Sequence, residues 1–346
     1  MVEIAPSGGK LYIPVWKYVL FLALLLVLCL LFALYLLNSH FGAQFGWLES
    51  MRRYLSFASR LNPNLKAEDN FADALRIHGL EKIDPGRFRL FVSATKADGS
   101  PVTVLNPGEL DLKIADNSGK GTPVMIDRVR PMHMYSHLTN PISYSMVMDY
   151  SGSMFPGDLT AIERNFSEFS NEIEPDFSAA IIKFNTRPVE IAPLTSDMTE
   201  IEQGISRRIP LQNTAMYDAI DMGVEKIQGQ PHLRFIVLTT DGNDNASFID
   251  MEEAIRRCRI HNISIFVFGF GWLNVNTLRE LADRTDGYYS YVTNSSSLGD
   301  WFKKLGQIIN NIQVIEFSTS PDFTMPGSME LTINTSSGKI TRTRSW

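Results

Sequence analysis

The chain has 346 residues, of which 44% are apolar and 20% are charged, and its formal net charge is −6. The length suits two domains of ordinary size, and the apolar content excludes a largely disordered chain. The acidic balance excludes the basic stripe that a nucleic-acid-binding surface needs, and two cysteines, Cys29 and Cys258, supply neither a disulfide framework nor a zinc motif.

The first predicted element is a transmembrane helix over residues 18–37, after an N-terminal tail of residues 1–17. The run "YVLFLALLLVLCLLFALYLL" carries no charge, and a helix of this length spans a hydrocarbon core of about 30 Å. A cleaved signal peptide has a shorter apolar core, followed by small residues, whereas bulky residues follow here. Lys10 and Lys17 precede the run, which favours an N-terminus inside the cell. We therefore expect a single-pass membrane protein whose bulk lies outside the cytoplasm, in the periplasm or at the cell surface.

Residues 38–76 are predicted to be a juxtamembrane helical stalk or linker. Apolar side chains recur there at helical spacing, namely Trp47, Leu48, Met51, Tyr54, Leu55 and Ala58. The pattern fits an interfacial stalk helix, and it fits equally a helix packed on the next domain.

A small antiparallel β module is predicted for residues 77–140. The run "FRLFVSATKADGSPVTVL" has the pattern of two strands joined by an Asp-Gly turn. The run "ELDLKIADNSGKGTPVMIDRV" has the pattern of two more strands, with a turn at 117–119. Residues 312–346 return to strand patterns but hold too few strands to fold alone. We expect these tail strands to complete the module, with an α/β domain inserted before them.

The inserted segment, residues 141–311, alternates strands with helices. The predicted strands are 142–149, 178–185, 188–192, 233–239, 263–269 and 288–292. The predicted helices are 158–173, 197–208, 214–228, 248–260, 274–284 and 296–311. The runs "RFIVLTT" and "ISIFVFGF" are almost continuously apolar, which is typical of strands buried on both faces of a parallel sheet. The pattern predicts an α/β fold with a doubly wound, mostly parallel, Rossmann-like sheet.

Oxygen-bearing side chains follow the predicted strands of this segment. Asp149, Ser151 and Ser153 come at the end of its first strand. Asp241 follows the fourth strand, and Thr214 opens a helix. In doubly wound sheets ligands bind at the carboxyl ends of the strands, so these three loops are expected to converge. Two carboxylates and three hydroxyls suit a hard cation, Mg²⁺ or Ca²⁺, although each residue alone also fits a helix cap or a turn.

The Asp-x-Ser-x-Ser signature, a threonine in a second loop and an aspartate in a third occur in order as Asp149, Ser151, Ser153, Thr214 and Asp241. In these residues the α/β segment resembles a von Willebrand factor A domain with a metal-ion-dependent adhesion site, of the bacterial membrane-anchored type. The resemblance implies a bound Mg²⁺, or Ca²⁺ or Mn²⁺ in its place. It also implies that the serines bind the ion directly and that the aspartates often bind it through water.

The function implied by the resemblance is binding without catalysis. A Glu or Asp carboxylate of a partner protein fills the open position of the cation, in adhesion or in the assembly of an envelope complex. A metal-assisted hydrolase using the same ion is the alternative. It needs a general base within reach of the metal, and none is evident in the sequence.

Three other motifs have weaker support. The run "DGNDNASFIDME" imitates an EF-hand loop but has Ala246 where that loop needs glycine, and Asn243 or Asp244 stays a candidate for a second ion. The run "FGFGWLN" lacks the third glycine of a dinucleotide fingerprint. His133 and His137 are bracketed by prolines, which favour an extended linker over a helix that shares a metal between them.

Overall fold

The described part of the chain comes from a computed structural model. It comprises residues 71, 73–115, 121–135, 138–154, 156–174, 176–241, 243–270, 275–292, 298–321, 323, 327–335 and 338–345. No helix within these ranges is long and apolar enough to cross a membrane. The predicted transmembrane helix over 18–37 and nearly all of the predicted linker lie outside them, so both stay predictions.

Fourteen strands form three sheets in the described residues. The strands are β1 Leu75–Asp84, β2 Arg87–Ala94, β3 Leu110–Ala115, β4 Gly121–Pro123, β5 Met125–Pro131, β6 Ile142–Asp149, β7 Phe177–Phe184, β8 Pro188–Thr195, β9 Leu233–Thr240, β10 Ile263–Phe270, β11 Tyr289–Val292, β12 Gln313–Ser318, β13 Ser328–Thr335 and β14 Gly338–Ser345. The α-helices of the same ranges are α1 Pro156–Glu172, α2 Met198–Ser206, α3 Met216–Ile227, α4 Met251–Ile260, α5 Val275–Arg284 and α6 Leu298–Asn310.

The central sheet has six strands in the order β11-β10-β9-β6-β7-β8. All neighbours in it are parallel except β7 and β8, which are antiparallel. Every residue of β6 and of β10 is buried, as their continuous apolar runs require. The predicted α/β class with a mostly parallel sheet is confirmed.

Helices cover both faces of this sheet. Along β6, Tyr144, Met146 and Met148 belong to the hydrophobic core under α1, α2 and α6. Val147, which points to the opposite face, belongs to the core under α3, α4 and α5. Adjacent residues of a strand point to opposite faces, so one apolar run supplies both cores.

The β module consists of two four-stranded sheets with a shared core between them, in the orders β1-β2-β12-β5 and β14-β13-β3-β4. Strand β12 lies between β2 and β5, and β13 pairs with β3, so the tail strands lie in the same sheets as strands from before the α/β segment. The chain leaves the β module for the α/β segment after β5 and returns at β12. These two connections lie side by side, because Met132 N donates to Ile312 O at 2.8 Å.

Two details of the predicted β module were wrong. The segment after Ala94 forms a single bridge, Thr95 to Pro101, instead of a second strand. The hairpin partner of β2 is β1, joined by a turn at Pro85 and Gly86, where Gly86 has φ +74. The predicted fourth strand is divided into β4 and β5, which belong to different sheets. The predicted turn at 117–119 lies outside the described residues.

The β module contacts the amino ends of the central strands. His78 of β1 lies 3.2 Å from the Ser264 hydroxyl at the start of β10. His232, just before β9, lies 3.1 Å from Glu81 of β1. Since β6, β9 and β10 are parallel, the carboxyl ends of these strands, where Asp149 lies, face away from these contacts with the β module.

Candidate metal centre

The first and third predicted loops meet at the carboxyl edge of the sheet. Asp149 is the last residue of β6 and Asp241 directly follows β9, the adjacent parallel strand. The Ser153 hydroxyl donates to Asp241 Oδ1 at 2.8 Å, and the Ser151 hydroxyl lies 3.3 Å from the same oxygen. The two serine hydroxyls are 3.0 Å apart. Three of the predicted side chains therefore form one cluster of oxygen atoms.

Asp149 is fully buried beneath this cluster. Its Oδ1 accepts a hydrogen bond from Ser151 N at 2.7 Å, which fixes the first turn of the loop. Its Oδ2 accepts from the Thr240 hydroxyl at 2.6 Å. Sequence reasoning missed Thr240. Its signal is its position at the end of β9, beside the end of β6, where a hydroxyl can reach the neighbouring strand's carboxylate.

The two carboxyl groups of the site lie in poorly hydrated surroundings. Burial, together with the charge of Asp241, raises the pKa of Asp149 from 3.8 to about 7. Burial also raises the pKa of Asp241, and the charge of the buried Asp158 in the first turn of α1 acts in the same direction. Two acids placed in this way resist being charged together, and a divalent cation among them would favour the charged forms.

Thr214 lies on a second loop that is bonded to the other two. Gly152 N donates to Gln212 O at 2.6 Å, which joins this loop to the first. Thr214 N donates to Asn245 Oδ1 at 2.9 Å, and Thr214 O accepts from Asn245 N at 2.9 Å, which joins it to the third. Thr214 is buried. The backbone therefore carries all three predicted loops to one edge.

Helix α3 begins later than predicted, at Met216, so Thr214 is not its N-cap. The N-cap position is Ala215, which has no capping side chain. Asp244 serves instead, because its Oδ2 accepts from Met216 N at 2.7 Å and from Tyr217 N at 3.2 Å. The sequence made the Asp244 carboxylate a candidate ligand for a second ion. In the structure it accepts these hydrogen bonds at the start of α3.

The residues of the EF-hand imitation have separate partners. Asp241 joins the serine cluster, Asn245 bonds to Thr214, and Glu252 pairs with Arg284 at 2.5 Å. Within the described residues no three or more His, Cys, Asp or Glu side chains are grouped closely enough to hold a metal. A cation at this edge would therefore be held mainly by hydroxyls and two carboxylates.

The residues at this edge fit a hard divalent cation. Ser151, Ser153 and Thr214 offer neutral oxygen atoms, while Asp149 and Asp241 offer carboxylates whose mutual repulsion a cation relieves. No sulfur or imidazole group takes part in the hydrogen bonds of the cluster. This donor set is typical of Mg²⁺, Ca²⁺ or Mn²⁺ sites.

Comparison with known proteins points to one family. Residues 145–304 match the sequence profile of the von Willebrand factor type A domain. An uncharacterized protein of Synechocystis sp. is 24% identical over 185 residues, which cover 50% of this chain and 42% of that protein. The chain thus aligns with less than half of that relative.

Three solved structures are similar to parts of this chain. BatB from Bacteroides thetaiotaomicron is 21% identical with a TM-score of 0.43, covering 48% of this chain and 98% of that one. Proximal thread matrix protein 1 from the mussel byssus, with a zinc-occupied MIDAS motif, is 16% identical with a TM-score of 0.46, covering 55% and 49%. The type V pilus tip protein Mfa5 from Porphyromonas gingivalis is 13% identical with a TM-score of 0.42, covering 50% and 96%. Likeness at this level indicates neither an ion nor a partner for this chain.

Proposed function

We propose that this chain is a binding protein without catalytic activity. The premise is that it belongs to the von Willebrand factor A family through residues 145–304. Its carboxyl-edge cluster holds a divalent cation, Mg²⁺ in the first instance, which captures a Glu or Asp carboxylate of a partner protein. The contact that carries the proposal is the one between Ser153, Ser151 and Asp241 at 2.8 and 3.3 Å, beside the buried Asp149.

The balance of charge at the cluster supports capture of an acid. Hydroxyl oxygens bind a cation without neutralising it, and the predicted ligands among the described residues include two carboxylates, those of Asp149 and Asp241. Mg²⁺ takes six oxygen ligands and keeps some of its waters, so a position stays available for an outside oxygen. A partner carboxylate supplies that oxygen with a full negative charge and is favoured over a neutral group.

The same proposal covers where in the cell the protein binds its partner. The uncharged run over 18–37 would hold the protein in a membrane, with the binding edge outside the cytoplasm. The β module covers the opposite edge of the central sheet, as the contacts of His78 with Ser264 and of His232 with Glu81 indicate. Adhesion or the assembly of an envelope complex fits a tethered protein whose proposed binding edge lies opposite the β module.

Two measurements test the proposal. Isothermal titration calorimetry with MgCl₂ is expected to give one site in the wild-type protein and none in Ser151→Ala. Ser145→Ala is the matched control, because Ser145 is an equally buried serine of β6 whose hydroxyl donates to Gly223 O, away from the cluster. Partner capture from membranes of the source cell is then expected to need Mg²⁺, to be lost in EDTA and to fail with Ser151→Ala.

The alternative function, a metal-assisted hydrolase, uses the same site. A turnover assay distinguishes it from the proposed binding function. A panel of esters and phosphate esters, assayed with Mg²⁺, is expected to show no turnover above that of Ser151→Ala. Capture that survives both EDTA and Ser151→Ala would contradict the proposal. Mg²⁺-dependent turnover that Ser151→Ala abolishes would favour the hydrolase.

A further inference from the structure

Behind the cluster lies a buried lysine that the sequence analysis did not single out. Lys183 of β7 is fully buried. Its Nζ donates to Ile205 O at 2.6 Å, to Arg207 O at 2.7 Å and to the Tyr150 hydroxyl at 2.9 Å. All three donors of the ammonium group are used, and burial lowers the pKa of Lys183 to about 8.

One of these bonds reaches the first loop of the site. Tyr150 lies between Asp149 and Ser151, and its hydroxyl also donates to Glu163 of α1. Its backbone is held on both sides, since Tyr150 N donates to Phe184 O at 2.8 Å and Tyr150 O accepts from Gln212 N at 3.3 Å. Lys183 and Glu163 therefore fix the side chain of the residue between two predicted metal ligands.

The other two bonds reach the segment that carries Thr214. Ile205 and Arg207 lie at the carboxyl end of α2, where backbone carbonyls lack helical partners and attract a cation. The next residue, Arg208, donates to both carboxylate oxygens of Glu163, at 3.2 and 3.0 Å. The start of the second loop is thus fastened to Lys183 and to the carboxylate that holds Tyr150.

The same loop is fastened further along by Asn185, which follows β7. Asn185 Nδ2 donates to Pro210 O at 2.9 Å, and Asn185 O accepts from Ala215 N at 2.7 Å. Asn185 is buried, and its Oδ1 accepts from Arg187 N at 3.3 Å. One residue therefore holds both ends of the stretch that contains Thr214.

We propose that Lys183 and Asn185 are positioning residues of the metal centre, which hold the first and second loops in the mutual register that brings Ser151 and Thr214 to one edge. The inference rests on the proposed function, because it concerns the same site. Neither residue is proposed as a metal ligand. Both act through the backbone of the loops and through Tyr150.

Removal of Lys183 or Asn185 is expected to weaken Mg²⁺ binding, which a role in stability alone would not do. Lys183→Met keeps the apolar length of the side chain but leaves the carbonyl oxygens of Ile205 and Arg207 without this donor, so it is expected to fold with reduced stability. Its Mg²⁺ dissociation constant is expected to rise about tenfold, because the loops must be ordered when the ion binds. Asn185→Ala is expected to act in the same direction. A merely structural role would lower the melting temperature without this change in affinity.

Two tyrosine variants of the same segment supply a second test variant and a matched control. Tyr150→Phe removes one oxygen from the network and is expected to weaken Mg²⁺ binding to a smaller extent than Lys183→Met. Tyr144→Phe removes a buried hydroxyl of β6 that bonds to Ser170 at 3.1 Å, far along the strand from the loops, and is expected to leave Mg²⁺ binding unchanged. Tyr150→Phe also serves as the test variant if Lys183→Met does not fold.

The outcomes distinguish this inference from the proposed function. Wild-type Mg²⁺ affinity in folded Lys183→Met, Asn185→Ala and Tyr150→Phe overturns the inference and leaves the proposed function standing. No Mg²⁺ binding by the wild-type protein overturns the proposed function. Amide hydrogen exchange without metal then tests the positioning alone: Lys183→Met and Asn185→Ala must both speed exchange at Gly152, whose N–H donates to Gln212 O of the second loop, and unchanged rates overturn the inference.

Discussion

Ser153 and Asp241 are 88 positions apart in the chain, and the hydroxyl of one donates to the carboxylate of the other at 2.8 Å. The contact closes the cluster over Asp149, whose carboxyl is already used by Ser151 N and Thr240. Among the hydrogen bonds described for Asp149 and Asp241, the donors are hydroxyl groups and a backbone N–H, so two acids lie together beside neutral donors. The proposed function predicts that this arrangement is unfavourable without a cation and favourable with one, and the difference can be measured.

Asp241→Asn is expected to have opposite effects with and without metal. In EDTA at pH 8 it should raise the free energy of unfolding by on the order of 1 kcal/mol, because one of two like charges, of the half-buried Asp241 and the buried Asp149, is removed. In Mg²⁺ it should unfold more easily than the wild-type protein, because the ion no longer stabilises it. Urea denaturation in the two buffers measures both effects. A variant less stable than wild type in EDTA would contradict the repulsion argument.

Mg²⁺ itself is expected to stabilise the folded protein by mass action. At about one hundred times its dissociation constant the gain should be about 2.7 kcal/mol. Asp149→Asn keeps the size of the side chain but removes its charge, and it should lose this gain. The measurement is the difference between urea midpoints with Mg²⁺ and with EDTA, for each protein separately. Equal differences in the two proteins would exclude Asp149 from the site.

A buried histidine predicts acid sensitivity of the β module contact. His78 is fully buried, with its Nε2 2.8 Å from the Ser93 hydroxyl. Burial, together with the positive charge of Arg344, lowers the pKa of His78 from 6.5 to about 3. Below pH 6.5 the imidazole of His78 therefore binds a proton in the unfolded chain but stays neutral in the folded chain. The free energy of unfolding should fall by about 1.4 kcal/mol per pH unit from this group as the pH drops from 6.5 towards 3.

His78→Gln is expected to remove this part of the pH dependence. The comparison is the slope of unfolding free energy against pH between 6.5 and 4, measured by denaturant titration at each pH. His133→Gln, which removes an exposed histidine, serves as the control and should keep the wild-type slope. Identical slopes in His78→Gln and in the wild-type protein would show that His78 does not titrate as inferred.

One glycine is required by the close approach of two backbones. A Cβ atom at Gly287, between α5 and β11, would lie 1.8 Å from Ile265 O of β10. Gly287→Ala should therefore destabilise the protein by about 3 kcal/mol or more, because backbone must move. Gly157→Ala in α1 meets nothing within 4 Å and should raise stability by up to about 1 kcal/mol. Thermal unfolding of the two variants tests the contrast.

Sequence reasoning succeeded where a short run of neighbouring residues carries the signal. Continuous apolar runs predicted β6, β9 and β10, and the positions of Ser151, Ser153 and Asp241 just after predicted strands led to the expectation that they meet at one edge of the sheet. Both signals are local, because a buried strand and the loop after it are read from neighbouring residues. The assignment of these residues, with Asp149 and Thr214, as metal ligands stays a prediction that the Mg²⁺ titrations test.

Features that depend on distant residues were missed. Lys183 resembles an ordinary polar interruption of a strand, and only the fold places the α2 carbonyls and Tyr150 around it. Thr240 is one of two adjacent threonines, and the strand register decides which of them reaches Asp149. The division of the predicted fourth strand between two sheets depends in the same way on where β12 and β13 lie.

The placement of the tail strands has a consequence for biosynthesis. Lys113 of β3 and Glu330 of β13 pair at 2.8 Å although 217 positions separate them. A ribosome that adds about 5 to 20 residues per second needs about 10 to 40 seconds to cover that interval. Strands β2 and β3 emerge first and wait with unpaired edges while the whole α/β segment is made. The nascent chain is therefore most exposed to aggregation, and most in need of a chaperone, before β12 and β13 have been made.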